Sequence, residues 1–432
     1  MISKTYMDFW NLIQVKKKSY LEIIMKIGIV GAGASGLFAA ITAAKQGADV
    51  TLIEKKDRIC KKLLATGNGK CNFTNKSMSK IDFRSQKGDI FNDYIGQFDE
   101  KEVISFFESM GMLIKERNGY CYPRSEQAST VLDLLRLQIK NLNIPVISEH
   151  YPINIRKCKK NFEIILNNNQ KFYFDRIILA CGSFAGEKKR DDFNGYAYAE
   201  DLGHTIIPVV PALVQVRVKS KDFKSISGVR CDANISLYIN RKPVTEEFGE
   251  LQITDYGISG IPVFQLSRYV SYGIHEKKNV TAVIDLLPEY TKEEWLAFVK
   301  EKWSHSPKTI TAEEFFQGFL NKKLNLFFLK TVGIKADTPL KQINYSKIEE
   351  AVRRMKSWEI EIEGTNPYEN AQVCAGGVSM DEITLHMESK IVPGLYFAGE
   401  LLDVDGRCGG YNLQWAWTSG YLAGKFSSGN SQ

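Results

Sequence analysis

The chain has 432 residues, 44% hydrophobic and 25% charged, which suits a folded protein of two or three domains at roughly 100–200 residues each. No stretch approaches the ~20 apolar residues of a membrane span, and the N terminus lacks the apolar core and cleavage site of a signal peptide, so a cytoplasmic chain is expected. The net charge of +7 includes runs at Lys16–Lys18 and Lys188–Arg190 but no aromatic-interleaved stripe or nucleic-acid module, so no nucleic-acid partner is expected. Its eight cysteines form no Cys-x-x-Cys, and its five histidines show no ligand spacing; metal sites and a dithiol redox pair are both disfavoured.

Residues 1–24 read as an appendage: either a leader upstream of a start at Met25, or a short amphipathic helix, Met7–Val15, resting on the body. From Ile27 the pattern becomes regular. Ile27–Val30 suits a buried parallel strand, Leu37–Gln46 an Ala-rich helix, and Asp49–Ile53 a second strand ending at Glu54. Between strand and helix lies Gly31-Ala32-Gly33-Ala34-Ser35-Gly36, a G-x-G-x-x-G in the setting that gives it meaning. Gly31 serves the tight turn, Gly33 the approach of a pyrophosphate, and Gly36 the packing of helix on strand. The helix start, with Ala34 and Ser35, offers N–H groups and a positive dipole end to phosphates. Glu54, at 54 − 36 = 18 residues past the last glycine and followed by Lys55, matches the acid that binds an adenosine ribose. An acid there repels a 2′-phosphate, which points to FAD or NAD.

The run TGNGKCNFTN, residues 66–75, suits neither helix nor strand, because Gly and Asn tolerate positive φ and Thr and Asn bond nearby backbone. Alone it is a surface turn. Beside a dinucleotide fingerprint it reads as a backbone wall around a ligand, with Lys70 offsetting phosphate charge. Cys71 is then a contact or packing residue, with a reactive thiol as the alternative.

Lys101–Met110 and Ser129–Asn141 read as helices, and Pro145–Glu149, Ile153–Lys157, Phe162–Leu166 and Lys171–Phe174 as short strands. Arg176–Ala180 is another buried strand, stopped at Cys181-Gly182; Ala180 and Gly182 there return the chain to the dinucleotide. Segments Ile207–Val218, Ala233–Ile239, Glu250–Ile253 and Val280–Leu286, with a helix at Ile261–Tyr272, suggest a β-rich domain over 191–290. Residues 291–365 form a helical subdomain, with capping boxes at Thr291/Glu294 and Thr311/Glu314. Its aromatic patch, Phe315 to Phe328, is read as packing or as a lid over a bulky apolar substrate. Leu395–Ala398 then returns as a strand, followed by Gly399 and Glu400, and a last helix begins near Gly410 and includes Leu413–Phe426. Glu400 can bond ribityl or phosphate-proximal hydroxyls. The helix start can aim N–H groups at the flavin edge where reduction builds negative charge. NAD enzymes need no such C-terminal return, so the cofactor inferred is FAD, in a domain made of 25–190 and 366–432.

The runs GIVGAGASGL, KLLATGNGKCNFTN, DYGISG, CAGGV and ESKIVPGLYFAGELLDVDGRCGGYNLQWAWTSG resemble the BaiN/YhiN-like family of FAD-dependent oxidoreductases over nearly all of the chain after Met25. The resemblance implies an α/β fold, a Rossmann-type FAD-binding domain interrupted by an inserted β-barrel domain and a small helical domain. By position it implies that Lys62, Leu63, Thr66, Gly67, Asn68, Gly69, Lys70, Cys71 and Asn72 contact FAD, as do Gly410, Tyr411, Asn412 and Leu413. The chain departs from related sequences at Asp255, where His is frequent, and at Cys374, where Thr is common.

No second G-x-G-x-x-G appears, so NAD(P)H is expected to dock transiently over the flavin. The resemblance implies NAD(P)H-dependent reduction of a C=C bond in a bulky apolar small molecule of the steroid or bile-acid kind. The alternative is oxidation of a small aminoketone-type amine by O₂. A scaffold or RNA-associated flavoprotein is a third reading, supported by charge alone. Asp255 and Tyr256, in the DYGISG turn with Thr254 and Ser259, are candidate proton donors; the sequence assigns neither a catalytic residue nor an oligomeric state.

Overall fold

The computed structural model describes residues 24–188 and 194–429. The suggested helix Met7–Val15 and part of the Lys188–Arg190 run lie outside these residues.

Ile27, Ile29 and Val30 are buried on both faces of strand β1 (Lys26–Val30), as expected for the middle of a parallel sheet covered on each side. The chain continues through α1 (Ala34–Lys45), β2 (Asp49–Glu54), helices Glu100–Ser109 and Ala128–Asn141, and β3 (Val146–Ser148). A three-stranded meander over 152–174 leads into β4 (Arg176–Leu179). With the late strand added below, the parallel sheet is complete.

Strand β5 (Ile206–Ala212) precedes β6 (Val216–Val218), β7 (Arg230–Ile239), β8 (Lys242–Ile253) and β9 (Gly257–Ser259). Asn240 and Arg241 both take positive φ in the two-residue turn between β7 and β8, the geometry whose twist matches a tight hairpin. Helix α2 (Ile261–His275) and β10 (Val280–Asp285) follow, then α3 (Lys292–His305), α4 (Lys322–Thr331) and α5 (Tyr345–Lys356). The chain closes with β11 (Trp358–Thr365), β12 (Val373–Val378), β13 (Leu395–Phe397) and α6 (Tyr411–Ser427).

The parallel sheet has the order β13–β4–β1–β2–β3, and a closed barrel runs β6–β9–β8–β7–β10–β11. The fold is therefore mixed α/β, with a Rossmann-type half, a barrel and helices. Two elements differ from expectation. Residues 358–365, assigned to the helical stretch, form the strand that closes the barrel. Their sequence WEIEIEGT alternates strictly, burying Trp358, Ile360 and Ile362, and that period of two outweighs the helical context before it. The segment Ile207–Val218 is two strands: β6 enters the barrel, whereas β5 pairs with β12 outside it.

The aromatic patch of the helical stretch is used up in packing. Phe315, Phe316 and Phe328 are fully buried in one core with Trp295 and Trp358, and the Trp295 indole N–H donates to the Val352 carbonyl at 2.9 Å. It does not form a lid, so its apolar character carries no argument about substrate.

Helices α1 and α6 lie in close contact because α6 is glycine at the crossing points. A Cβ on Gly420 would stand 2.4 Å from the Ser35 carbonyl oxygen, and one on Gly424 would stand 2.4 Å from that of Ala39. The paired order, 35 with 420 and 39 with 424, makes the helices parallel. Gly420 is ten residues from Gly410, so the start of α6 projects roughly 15 Å beyond that of α1 at 1.5 Å per residue. No helix among the described residues is long and apolar enough to cross a membrane.

Candidate active site

The glycine turn separates three roles by geometry. Gly31 has φ +102°, and a Cβ there would meet the Ala180 carbonyl oxygen at 2.4 Å; Gly36 would meet the Gly31 carbonyl oxygen at 1.9 Å. These two glycines are required by the protein's own packing. Gly33 is different: a Cβ there would find nothing within 4 Å, so its side opens onto free space at the start of α1. No side chain caps that helix start, which leaves donors for an anion. Glu54 ends β2 and is buried; its two oxygens accept from the Ala32 and Lys56 N–H groups, both at 2.8 Å. Each carboxylate oxygen retains a lone pair for a ribose hydroxyl.

The expected wall runs through 3-10 turns over Lys61–Gly69 with a kink at Thr66. Gly67, Asn68, Gly69 and Cys71 all have positive φ, and the Cys71 N–H donates back to the Thr66 carbonyl at 3.1 Å. Gly67–Lys70 are exposed, whereas Leu63 and Cys71 are buried beneath them. Burial pushes the Cys71 thiol up to about 12, which removes its nucleophilic form at neutral pH. The Cys71 side chain packs into the core beneath the wall. Lys70 is paired with Glu126 at 3.5 Å, so its charge is already engaged.

Glu400 accepts from the Cys374 N–H at 3.0 Å and pairs with Lys62 at 2.8 Å, tying the wall to the turn after β13. Gly399 abuts the start of α1, where its Cβ would lie 2.4 Å from the Ser35 hydroxyl. Gly182 has φ +71° with open space around it. Lys55 lies over the Tyr151 ring.

Gly410 is the left-handed residue (φ +95°) before α6, and no side chain caps that helix. The side chain of Asn412 bonds the Gly406 N–H and carbonyl instead, and Tyr411 bonds the Ser77 carbonyl. What Tyr411, Asn412 and Leu413 offer a ligand is therefore backbone N–H. The Asn72 Oδ1 is buried without a partner, and a Cβ on Gly410 would come 3.0 Å from it.

The segment leading into α6 carries charges that sequence reasoning missed. Asp405 is 2% exposed and pairs with Arg268 of α2 at 3.0 Å, with Arg84 at 4.0 Å. Gln265 of α2 accepts the Cys408 N–H at 3.3 Å, and Arg407 pairs with Glu247 of β8 at 2.6 Å. Asp403 accepts from the Gln86 N–H at 2.8 Å, yet burial still pushes its carboxyl up to about 6. The barrel thus grips the loop Asp403–Gly410. Of the DYGISG candidates, Asp255 is exposed and the Tyr256 hydroxyl accepts from Asn366 at 3.2 Å. Only the small, β-branched and apolar pattern of α2 was legible beforehand; its Arg268–Asp405 pair spans 137 residues, which no local signal encodes.

A cleft with open space at one uncapped helix start, and a second uncapped start roughly 15 Å further on, calls for a long ligand. That ligand must be anionic at one end and carry hydrogen-bonding ring atoms at the other. The protein is an FAD-dependent oxidoreductase. Comparison with known proteins narrows the class: the description "HI0933-like protein Rossmann domain" matches residues 25–426, and the chain belongs to that family. It is 42% identical, over 93% of its length and 98% of the relative's, to the 3-dehydro-bile acid delta(4,6)-reductase of Clostridium scindens. It is 29% identical, over 91% and 96%, to the ribosomal RNA dihydrouridine synthase of Haemophilus influenzae. Among solved structures, the 3-ketosteroid-delta4-(5alpha)-dehydrogenase of Rhodococcus jostii aligns over 96% of this chain and 99% of its own, at 14% identity and a TM-score of 0.45.

The residues present fit FAD. Gly33 leaves the required space, Glu54 has lone pairs to spare, and the buried Asn72 Oδ1 is an acceptor awaiting a donor such as a ring N–H.

Proposed function

We propose that this protein reduces a ring C=C bond conjugated to a carbonyl in a bulky apolar molecule of the steroid or bile-acid kind, using NAD(P)H. The observation that carries this reading is the 42% identity, over 93% of this chain, with a reductase named for that substrate class. When bound, FAD supplies two-electron chemistry, accepting a hydride equivalent from one partner and passing it to another. In the balance, NAD(P)H and one proton are consumed, C=C becomes CH–CH, and NAD(P)⁺ leaves.

In this reading the chain's residues do the holding. Glu54 orients the ribose, and the N–H groups at the start of α1 take the pyrophosphate. The Thr66–Asn72 backbone would cover one face of the bound ring and keep water from it. The first N–H groups of α6 would stabilise the negative charge that a bound flavin gains on reduction, and the Asn72 Oδ1 would accept from a ring N–H. The Lys62–Glu400 pair holds the wall to the turn after β13.

The test is anaerobic mixing of the FAD-loaded protein with NADH or NADPH, then with a 3-oxo-4,6-diene steroid acid. Bleaching of the flavin band by either nucleotide, and its recovery on adding the dienone, is expected. Failure of both nucleotides to bleach it refutes the reading. A second reading rests on the 29% relative, since dihydrouridine is uridine with a saturated ring C=C. Recovery of the band with ribosomal RNA but not with the dienone would favour that substrate.

A further inference from the structure

We propose that the Tyr272 hydroxyl donates a hydrogen bond to the carbonyl oxygen of the substrate, polarising the conjugated system for reduction. The inference rests on the reading above and names a residue that it leaves unassigned.

Gln265, Arg268 and Tyr272 recur at spacings of three and four, so they share the face of α2 that lies on the loop Asp403–Gly410. Tyr272 packs against an apolar cluster in which Cys408 also takes part, two residues before the helix start assigned to the ring edge. Its ring lies under the Arg268 guanidinium, 5.5 Å from the centroid. Its hydroxyl oxygen is buried and has no hydrogen-bond partner. A buried donor left unpaired is costly, so a ligand acceptor there is favoured. The Asp403 Oδ1, another unpaired buried oxygen, belongs to the same seam. A carboxylate oxygen only accepts, so it cannot be what the substrate's oxygen needs; a phenol can donate. Burial keeps the Tyr272 hydroxyl protonated far above neutral pH, with Arg268 opposing that shift only in part. The seam therefore presents a neutral donor beside the Arg268–Asp405 ion pair. A neutral phenol suits an oxygen on which negative charge builds as the β-carbon of an enone is reduced.

Tyr272→Phe removes the hydroxyl without removing a hydrogen bond, so the fold should be retained at unchanged or slightly raised Tm. Two readouts decide the matter. In the oxidised holoenzyme without NAD(P)H, a bound 3-oxo-4,6-diene steroid acid should show a red-shifted ultraviolet band, absent in Tyr272→Phe. In turnover, Tyr272→Phe should lose about 100-fold in the oxidative half-reaction, the effect of one oxyanion donor, with flavin reduction by NAD(P)H unaltered. Equal red shifts and equal oxidative rates in the two proteins overturn the inference while leaving the proposed function standing. A wild-type protein that neither binds nor reduces the dienone overturns both.

Discussion

Lys61–Asn72 and Asp403–Gly410 meet where Gly410 approaches Asn72, yet they are held in contrasting ways. The first keeps Gly67–Lys70 exposed and is tied down at its rims by half-exposed pairs, Lys62 with Glu400 and Lys70 with Glu126. Its shape comes from a series of positive-φ residues. The second buries Asp403 and Asp405 and is fixed from the barrel side by Arg268, Gln265 and Glu247. One border is set by backbone conformation, the other by charge taken out of water. In the proposed site, the backbone wall would lie flat against the flavin ring, and the clamped loop would fix where that ring ends.

The sharpest way to break this comparison is Asp405→Ala, which leaves the buried Arg268 without its partner. Unfolding by denaturant should show a loss of about 3–5 kcal/mol, the usual cost of an uncompensated buried charge. Next comes the pH response. The Asp403 carboxyl is raised from an ordinary 3.8 to about 6, so the folded state binds its proton more tightly than the unfolded state. Its contribution is complete below pH 3.8 and is lost as pH rises through 6, a change of roughly 2–3 kcal/mol that Asp403→Asn should abolish. Stability measured for both proteins at pH 4.5 and 7.5 isolates the difference.

His204 responds in the opposite sense. It is buried between Glu382 and Ser389, both at 3.0 Å, and burial lowers it below 6.5. Its contribution is present above 6.5 and lost as pH falls, so His204→Gln should flatten the acid limb of the stability profile. Ser389 Oγ already accepts the Ile391 and Val392 N–H groups, which makes this trio a structural staple rather than a nucleophilic site.

On the wall side the effects should be small. Lys62→Ala removes a half-exposed pair and should cost under about 1 kcal/mol. Smaller still is Gly33→Ala, whose new methyl meets no protein atom; with FAD stripped from both proteins its Tm should match wild type, while as purified it carries less FAD. A Tm loss in the FAD-free protein would show that Gly33 serves the fold rather than the cofactor.

Whatever depends on local chemistry was legible along the chain. The glycine spacing at 31, 33 and 36, the acid at 54, the positive-φ residues at 67–69 and 71 and the helix start at Gly410 each state a backbone requirement that only certain residues meet. The chain also held, unread, the alternation of residues 358–365 that closes the barrel. Tertiary structure alone decided which charges meet. Nothing near Arg268 specifies Asp405, nothing near Lys62 specifies Glu400, and the orphaned hydroxyl of Tyr272 is visible only when α2 lies on the loop before α6. Backbone preferences act over a few residues and can be read in order. Desolvation and pairing act through space, so they exist only once the chain has folded.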